Sequence, residues 1–353
     1  TEKLEEKINI SFTKDILPHI IPLVCILTIK NRNKDFVKML NDIKANPDLL
    51  EIFDDMCMKW GWEKGLIDII KDIVSKYFDK SSNTYNISIT FKMSLQSLID
   101  NPEKLVELIN DCLKPKVIEK KKYGEVFTPL SFINDKMLAN LEKYYKKKYK
   151  INIFEDEKIK WGDTTAGMGN FPVAIYYKLM NGLKKKIPDN NLRKKHILEN
   201  MIYMAEYNKK NCFIIKQIFN INNEYKLNLF EGDSLKLDIQ KEFGIDKFDV
   251  LIGNPPYNEE LKKTGATAYY NKFVDYYIEK SSLLTFVIPS RWFSGGKGLD
   301  SFRSSMLQRT DIVYINHIDD ARTVFGNNVD IKGGINYFLK DTNHNDKCKY
   351  NNS

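Results

Sequence analysis

Ile159-Lys-Trp161-Gly-Asp163-Thr-Thr-Ala166-Gly167-Met-Gly169-Asn170-Phe171 decides the fold class. A short apolar run ends on an acid, a glycine-rich turn follows, and from Phe171 to Leu183 the spacing predicts a helix. Glycines let the backbone turn tightly and come close to a ligand. An acid at the strand end can accept from a cationic or hydroxyl group. Alone, such a turn is equally a structural connection, because strand–helix turns with glycine are common.

Working outward, the same alternation repeats. Met201 to Glu206 reads as a strand and Asn208 to Phe219 as a helix; Leu227 to Glu231 and Phe248 to Ile252 read as strands. Tyr269 to Lys280 reads as a helix and Leu283 to Ile288 as a strand. Strands alternating with helices imply an α/β fold with an open, mostly parallel, Rossmann-like sheet. In such sheets ligands lie outside the carboxyl ends of the strands. Before residue 115 the pattern is helical instead, with Phe36, Met39 and Leu40, then Leu66, Ile69, Ile70 and Ile73, then Leu105, Leu108 and Ile109 on apolar faces. Asn101 and Pro102 read as the N-cap and first residue of a helix. The expected organisation is a mainly helical N-terminal region over 1–115 and a second domain over 116–353.

Composition sets outer bounds. The 353 residues are 42% hydrophobic and 29% charged, as in an ordinary globular protein. Lys and Arg total 55 against 47 Asp and Glu, a net charge of +8 that permits a polyanionic partner. Cys25, Cys57, Cys112, Cys212 and Cys348 form no CxxC pair, and with four histidines no zinc spacing arises, so no metal is expected. The apolar stretch from Ile16 to Ile29 is too short to span a bilayer and holds Pro18, His19 and Pro22. A cytoplasmic or other intracellular compartment that contains nucleic acid is expected, with no membrane partner.

The acids at the strand ends invite a common reading. Glu206 can bind the two hydroxyls of a ribose, and Asp233, followed by Ser234, can accept from the amino group of an adenine ring. Each is also compatible with a solvated acid or an ordinary turn. The strongest motif is Asp249-Val-Leu-Ile-Gly-Asn254-Pro255-Pro256-Tyr257. An exocyclic aryl amine is a poor nucleophile, because its lone pair is delocalised into the ring. The side-chain carbonyl of Asn254 and the backbone carbonyl of Pro255 can both accept from such an NH2 group and favour a pyramidal nitrogen. Pro255 and Pro256 fix the backbone that aims them, and Tyr257 offers a ring on which an extruded base can stack.

The segment from Tyr123 to Leu339 resembles the N6-adenine DNA methyltransferases, most closely the methylase part of restriction–modification enzymes. Gly124-Glu-Val-Phe-Thr128-Pro129 is similar to the segment that precedes the family's glycine loop and helps hold the methionine end of its cofactor. Asp163 to Phe171 is similar to that loop, with Thr164-Thr165-Ala166 where the family usually has Pro-Ala-Cys. Asn254 to Tyr257 matches the catalytic tetrapeptide without substitution. Phe286 to Trp292 resembles the sixth strand and its turn. Ile331 to Leu339 resembles a late strand able to supply a second aromatic, Phe338, to a flipped base.

The resemblance implies S-adenosyl-L-methionine as cofactor, held by Thr128, Pro129, Asp163, Ala166, Gly167, Gly169, Asn170, Phe171, Glu206, Asp233, Ser234 and Asn254. It implies catalysis by Asn254, Pro255, Pro256 and Tyr257, and double-stranded DNA as partner. The same tetrapeptide also serves methyltransferases of RNA or of a protein glutamine, and a catalytically inactive subunit is the alternative outside enzymes. Target recognition is expected from a domain or subunit elsewhere, because the chain ends soon after the last motif. The lysine runs 120–122, 146–148 and 184–186 read either as phosphate contacts or as solvated faces. The loop from Ser294 to Gly298 reads either as a flexible cover or as a plain connection.

Overall fold

The computed structural model describes residues 35–59, 64–77, 128–220, 224–259, 267–296, 298–326, 329 and 331–352, and besides these Ile20, Leu23, Val24, Leu27 and Thr28. The chain divides into two compact units, Thr1–Glu119 and Lys120–Ser353.

In the first unit three helices are described: α1 (Phe36–Ala45), α2 (Pro47–Lys59) and α3 (Leu66–Tyr77). The starts of α1 and α2 follow from side-chain capping. Asp35 accepts from the backbone N–H groups of Val37 and Lys38. Asn46 accepts from those of Asp48 and Leu49, and Pro47 occupies the first position of α2, where no N–H is needed. Phe36, Met39, Leu40 and Ile43 of α1 and Phe53 and Cys57 of α2 are buried. The apolar face expected for α3 is shifted: Ile67 and Ile70 are buried, whereas Ile69 is 55% exposed. The helices expected around Asn101 and Leu105 lie outside the described residues.

The second unit is built on an eight-stranded sheet. Its strands are β1 (Trp161–Asp163), β2 (Ile202–Glu206), β3 (Asn228–Glu231), β4 (Phe248–Gly253), β7 (Ser281–Pro289), β8 (Ile312–Ile318), β9 (Ile335–Asp341) and β10 (Lys349–Asn352). A short hairpin, β5 (Asn258–Glu259) with β6 (Thr267–Ala268), stands apart. The sheet order is β10-β8-β9-β7-β4-β1-β2-β3. All pairings are parallel except those of β9, which runs antiparallel to β7 and β8. The open, mostly parallel α/β sheet expected from the sequence is therefore present. From β1 the order runs one way through β2 and β3 and the other way through β4 and β7, so the topological switch point lies between β1 and β4.

The central strands are mostly apolar, as expected of strands covered on both faces: Val250, Leu251 and Ile252 of β4 and Leu284, Phe286, Val287 and Ile288 of β7 are fully buried. Described helices of this unit include α4 (Ala139–Tyr149), α5 (Asn170–Gly182), α6 (Asn190–His196), α7 (Lys209–Asn220), α8 (Ile239–Phe243), α9 (Tyr270–Tyr277) and α10 (Asp300–Gln308). A π-helical turn, Ile133–Leu138, leads into α4. The latter is tied to the end of β9 through Asp341, which accepts from the hydroxyls of Tyr144 (2.7 Å) and Tyr149 (2.8 Å) and from Lys148 Nζ (3.0 Å).

Strands β8 and β10 and helices α4, α6 and α10 carry no motif and were not expected. The late strand begins at Ile335 rather than Ile331, because Gly334 N–H closes a turn onto the Ile331 carbonyl.

Candidate active site

Four strand ends build the site. The register pairs Asp163 with Met204, Glu206 with Glu231 and Gly162 with Leu251. This sets the carboxyl ends of β1, β2, β3 and β4 side by side, with the glycine loop crossing their edge.

Asp163 ends β1 and is 1% exposed. Its Oδ1 accepts from the Thr165 N–H at 3.0 Å, while its Oδ2 is buried without a hydrogen bond. Burial pushes its pKa up to about 8; the Thr165 N–H opposes the shift and the negative charge of Glu206 adds to it. A buried carboxyl oxygen lacking a donor costs free energy that an incoming donor recovers.

The loop then turns on glycine. Gly167 (φ 55°) and Gly169 (φ 98°) both adopt the left-handed region that favours glycine, and Gly169 caps α5. The Ala166 N–H donates to the Ala205 carbonyl of β2, and the Gly167 N–H donates to Glu206 Oε2 at 2.7 Å. Glu206 Oε1 accepts from the Asn208 N–H at 2.7 Å and from Asn211 Nδ2 at 3.4 Å. Glu206 is thus anchored at β2's end with its carboxylate against the glycine loop. Ala166, Asn170 and Phe171 are buried beside it.

After β3, Asp233 caps a short 3-10 turn by accepting from the Leu235 N–H at 3.1 Å and lies 3.7 Å from Lys236 Nζ. Ser234 is buried, and its carbonyl accepts from the Tyr277 hydroxyl.

At the end of β4 the chain continues into Asn254, Pro255, Pro256 and Tyr257. Asn254 is half-buried, Pro255 buried, Pro256 half-buried and Tyr257 5% exposed. Asn254 Nδ2 donates to the Thr128 hydroxyl at 3.1 Å. The Thr128 carbonyl in turn accepts from Asn170 Nδ2 at 2.9 Å, so this preceding segment joins the glycine-loop helix to the tetrapeptide. Pro129 follows at the start of a helical turn. The Tyr257 hydroxyl lies beside the Asn254 side chain; burial holds its pKa well above the ordinary phenol value. The Tyr257 carbonyl accepts from the Tyr269 N–H, which closes the β5–β6 hairpin behind the tetrapeptide.

The structure therefore brings Thr128, Asp163, Gly167, Glu206 and Asn254 into one connected set, with Asp233 on the adjoining strand end. Phe338 is not part of it. Strand alternation in β9 sends its ring into the core, where it is 0% exposed in the same cluster as Phe286, Trp292 and Phe302, and no face is left for a base to stack on.

One residue beside Asp163 and one beside Glu206 escaped the sequence reading. Gly253 is one: a Cβ there would lie 2.8 Å from Asp163 Oδ1 and 3.2 Å from Thr165 Oγ1, so any side chain at this position would push the acid aside. Its signal was the missing side chain immediately before the tetrapeptide. Tyr207 is the other, a 78% exposed aromatic directly after Glu206. Its signal was a large ring at a strand end, where solvated residues are the rule.

The lysine runs divide. Lys148 and Lys186 pair with Asp341 and Glu157 respectively, and residues 120–122 lie outside the described residues. Among the described residues no cluster of His, Cys, Asp and Glu could hold a metal, and no helix is long and apolar enough to cross a membrane.

Residues 176–325 match the family described as Eco57I restriction-modification methylase, a span that includes Glu206, Asp233 and the tetrapeptide but not Thr128 or the glycine loop. An uncharacterized adenine-specific methylase of Mycoplasma pneumoniae is 25% identical, over 70% of this chain and 75% of its own length. Among solved structures, a type I restriction–modification assembly superposes with a TM-score of 0.56 at 13% identity, covering 96% of this chain and 72% of the other. The type ISP restriction–modification enzyme LlaBIII bound to DNA gives 0.54 at 14% identity, covering 94% of this chain and 29% of the other. A modification subunit from Vibrio vulnificus YJ016 gives 0.51 at 15% identity, covering 81% of this chain, which spans only 59% of that subunit's length. The chain thus shares the fold of these proteins and, over residues 176–325, is similar to the Eco57I restriction-modification methylase family.

Proposed function

We propose that this chain transfers the methyl group of S-adenosyl-L-methionine to the N6 amine of adenine in DNA. The observation that carries the reading is the position of Asn254-Pro255-Pro256-Tyr257 at the end of β4, directly beside the buried Asp163. The family match and the name of the Mycoplasma relative support it.

The residues present fit the cofactor. Asp163 Oδ2 is a buried carboxyl oxygen that, on releasing its proton, can accept from a cationic amino group; Glu206 is held where it can accept from ribose hydroxyls, and Asp233 and Ser234 could read an adenine ring. Tyr207 adds an exposed ring face. Open space surrounds the Cα of Gly167, where a side chain would otherwise project. The cofactor supplies a methyl group activated by its sulfonium.

The chain's own part is to prepare the nucleophile. Asn254 Oδ1 and the Pro255 carbonyl accept from the two protons of the target amine and draw its lone pair out of the ring; neither acceptor changes its ionisation, and the proton that the methylated nitrogen sheds passes to solvent. The prolines keep both acceptors fixed, which makes catalysis a matter of positioning and electrostatic complementarity. A base that stacks on Tyr257 enters by displacing part of what encloses that ring, and base flipping brings it there. Double-stranded DNA is the substrate, with sequence recognition supplied by a further domain or subunit.

The test is incubation with tritiated S-adenosylmethionine and adenine-rich duplex DNA, beside an Asn254→Ala control, with RNA and a protein extract in parallel. Label recovered as N6-methyladenine and lost in the control is the expected result. Label confined to RNA or protein, or cofactor binding without transfer to any of them, overturns it.

A further inference from the structure

Thr128 stands at a junction that its resemblance to a cofactor-holding segment does not explain. It is 3% exposed, and both of its polar oxygens are engaged by amides from distant parts of the chain. Its hydroxyl accepts from Asn254 Nδ2 at 3.1 Å, across 126 residues. Its carbonyl accepts from Asn170 Nδ2 at 2.9 Å, across 42 residues. Asn170 is itself 5% exposed and opens α5, the helix that follows the glycine loop.

A side-chain amide has two unlike ends, an NH2 that only donates and a carbonyl that only accepts. For Asn254 to help a target amine, the carbonyl must face it; the reversed amide would set donor against donor. A hydroxyl receiving Nδ2 holds the amide in the productive sense, and the hydroxyl is held in place because its backbone is tied to α5. We infer that Thr128 is a positioning residue for the methyl transfer, whose hydroxyl fixes the orientation of the Asn254 amide and whose carbonyl couples that orientation, through Asn170, to the helix following the glycine loop. The inference rests on the methyltransferase reading above and assigns Thr128 a role at the acceptor side of the reaction rather than in holding the cofactor.

Thr128→Val keeps the side chain's shape and removes the hydroxyl; Thr128→Ser keeps the hydroxyl. In single-turnover methylation of duplex DNA at saturating cofactor, Thr128→Val should be slowed roughly 10- to 100-fold, as expected when a hydrogen bond that orients a group facing the reacting amine is lost. The cofactor dissociation constant should stay within about twofold of wild type, and Thr128→Ser should recover most of the rate. A purely structural role would not separate rate from affinity in this way. An unchanged Thr128→Val rate, a cofactor affinity weakened in step with the rate, or a serine variant no better than the valine variant each overturns the inference.

A second measurement is independent of activity. The side-chain 15N amide pair of Asn254, identified by its loss in Asn254→Asp, should shift in Thr128→Val and hold its position in Thr128→Ser. No shift overturns the inference even if the protein methylates DNA. A wild type that methylates nothing while showing the shift refutes the functional reading and leaves the orientation of Asn254 by Thr128 standing.

Discussion

Replacing Asp163 by asparagine should stabilise the ligand-free protein above neutral pH while removing cofactor binding. The carboxyl is 1% exposed, keeps one hydrogen bond to the Thr165 N–H, and leaves Oδ2 without a donor. Its pKa rises from 3.8 to about 8, chiefly through burial. A carboxyl with a raised folded-state pKa binds a proton that the unfolded chain has already released. Its contribution to stability is complete below the unfolded value and is lost as pH climbs towards the folded one. Between those limits the loss is about 1.4 kcal/mol per pH unit, or roughly 2–3 kcal/mol between pH 5 and pH 7. Asparagine preserves the shape and the bond to Thr165 and titrates nothing. The melting temperature of Asp163→Asn relative to wild type should therefore rise by roughly 5–10 °C over that interval. Differential scanning calorimetry at several pH values, without ligand, reads the difference directly, and isothermal titration with S-adenosylmethionine reads the lost affinity. Parallel melting curves for the two proteins from pH 5 to pH 8 would refute the reasoning, since they would mean that Asp163 is ionised in the folded protein at no cost. An asparagine variant that binds the cofactor as well as wild type would refute the role assigned to Oδ2.

Other perturbations probe neighbouring parts of the site and its frame. In Gly253→Ala the new methyl would lie 2.8 Å from Asp163 Oδ1, so the carboxylate must move and its bond to Thr165 lengthen; a cost of about 1–3 kcal/mol follows, expected as weaker cofactor binding in titration calorimetry. Asn254→Ala should lower methyl transfer at least 100-fold, the order seen when a preorganised group facing the reacting atoms is removed, with little change in cofactor affinity; comparable losses in both would place Asn254 on the cofactor side. Asp341→Ala leaves Tyr144, Tyr149 and Lys148 around an empty acceptor site and should cost about 3 kcal/mol, read as a lower melting temperature. Burial pushes the Asp341 pKa up, but bonds from Tyr144, Asn343, Tyr149 and Lys148 hold it below the ordinary value. Its stabilising effect is therefore present above the usual carboxylate range and fades as pH falls through the depressed value, so the gap between wild type and Asp341→Ala should close in acid.

What the sequence disclosed follows from how local each signal is. The strand–turn–helix at Asp163 to Phe171 and the turn after β4 are short-range patterns whose glycines and prolines restrict the backbone wherever they occur, and both stand where the sequence placed them. Strand β8 gave no such signal: it mixes Ile312, Tyr314 and Ile318 with Asn316 and His317, and its pairing depends on β9 arriving between it and β7. The expected role of Phe338 failed for a related reason. Tyr337 and Phe338 are adjacent aromatics, and only the register of β9 decides which face each ring meets. Ile69 shows the same ambiguity on a helix, where Ile67 rather than Ile69 shares the buried face with Ile70. The link from Thr128 to Asn254 spans 126 residues and was out of reach of any local reading, and Gly253 shows its purpose only once Asp163 is seen beside it.

The sheet order carries a consequence for biosynthesis. Both neighbours of β8 in the sheet, β9 and β10, are synthesised after it. Strand β8 therefore leaves the ribosome with no edge to join, while β7 already presents an unpaired edge of apolar residues. Only when residues 335–341 emerge can β9 insert antiparallel between the two and close the sheet, and the same residues deliver Asp341 to Tyr144, made almost 200 residues earlier. A nascent chain stopped short of β9 has strands β1 to β4 and β7 in place and an exposed strand edge on β7, the kind of surface that pairs with another copy. Between translation of β7 and of β9, an apolar strand edge of this protein thus stands open to its own kind.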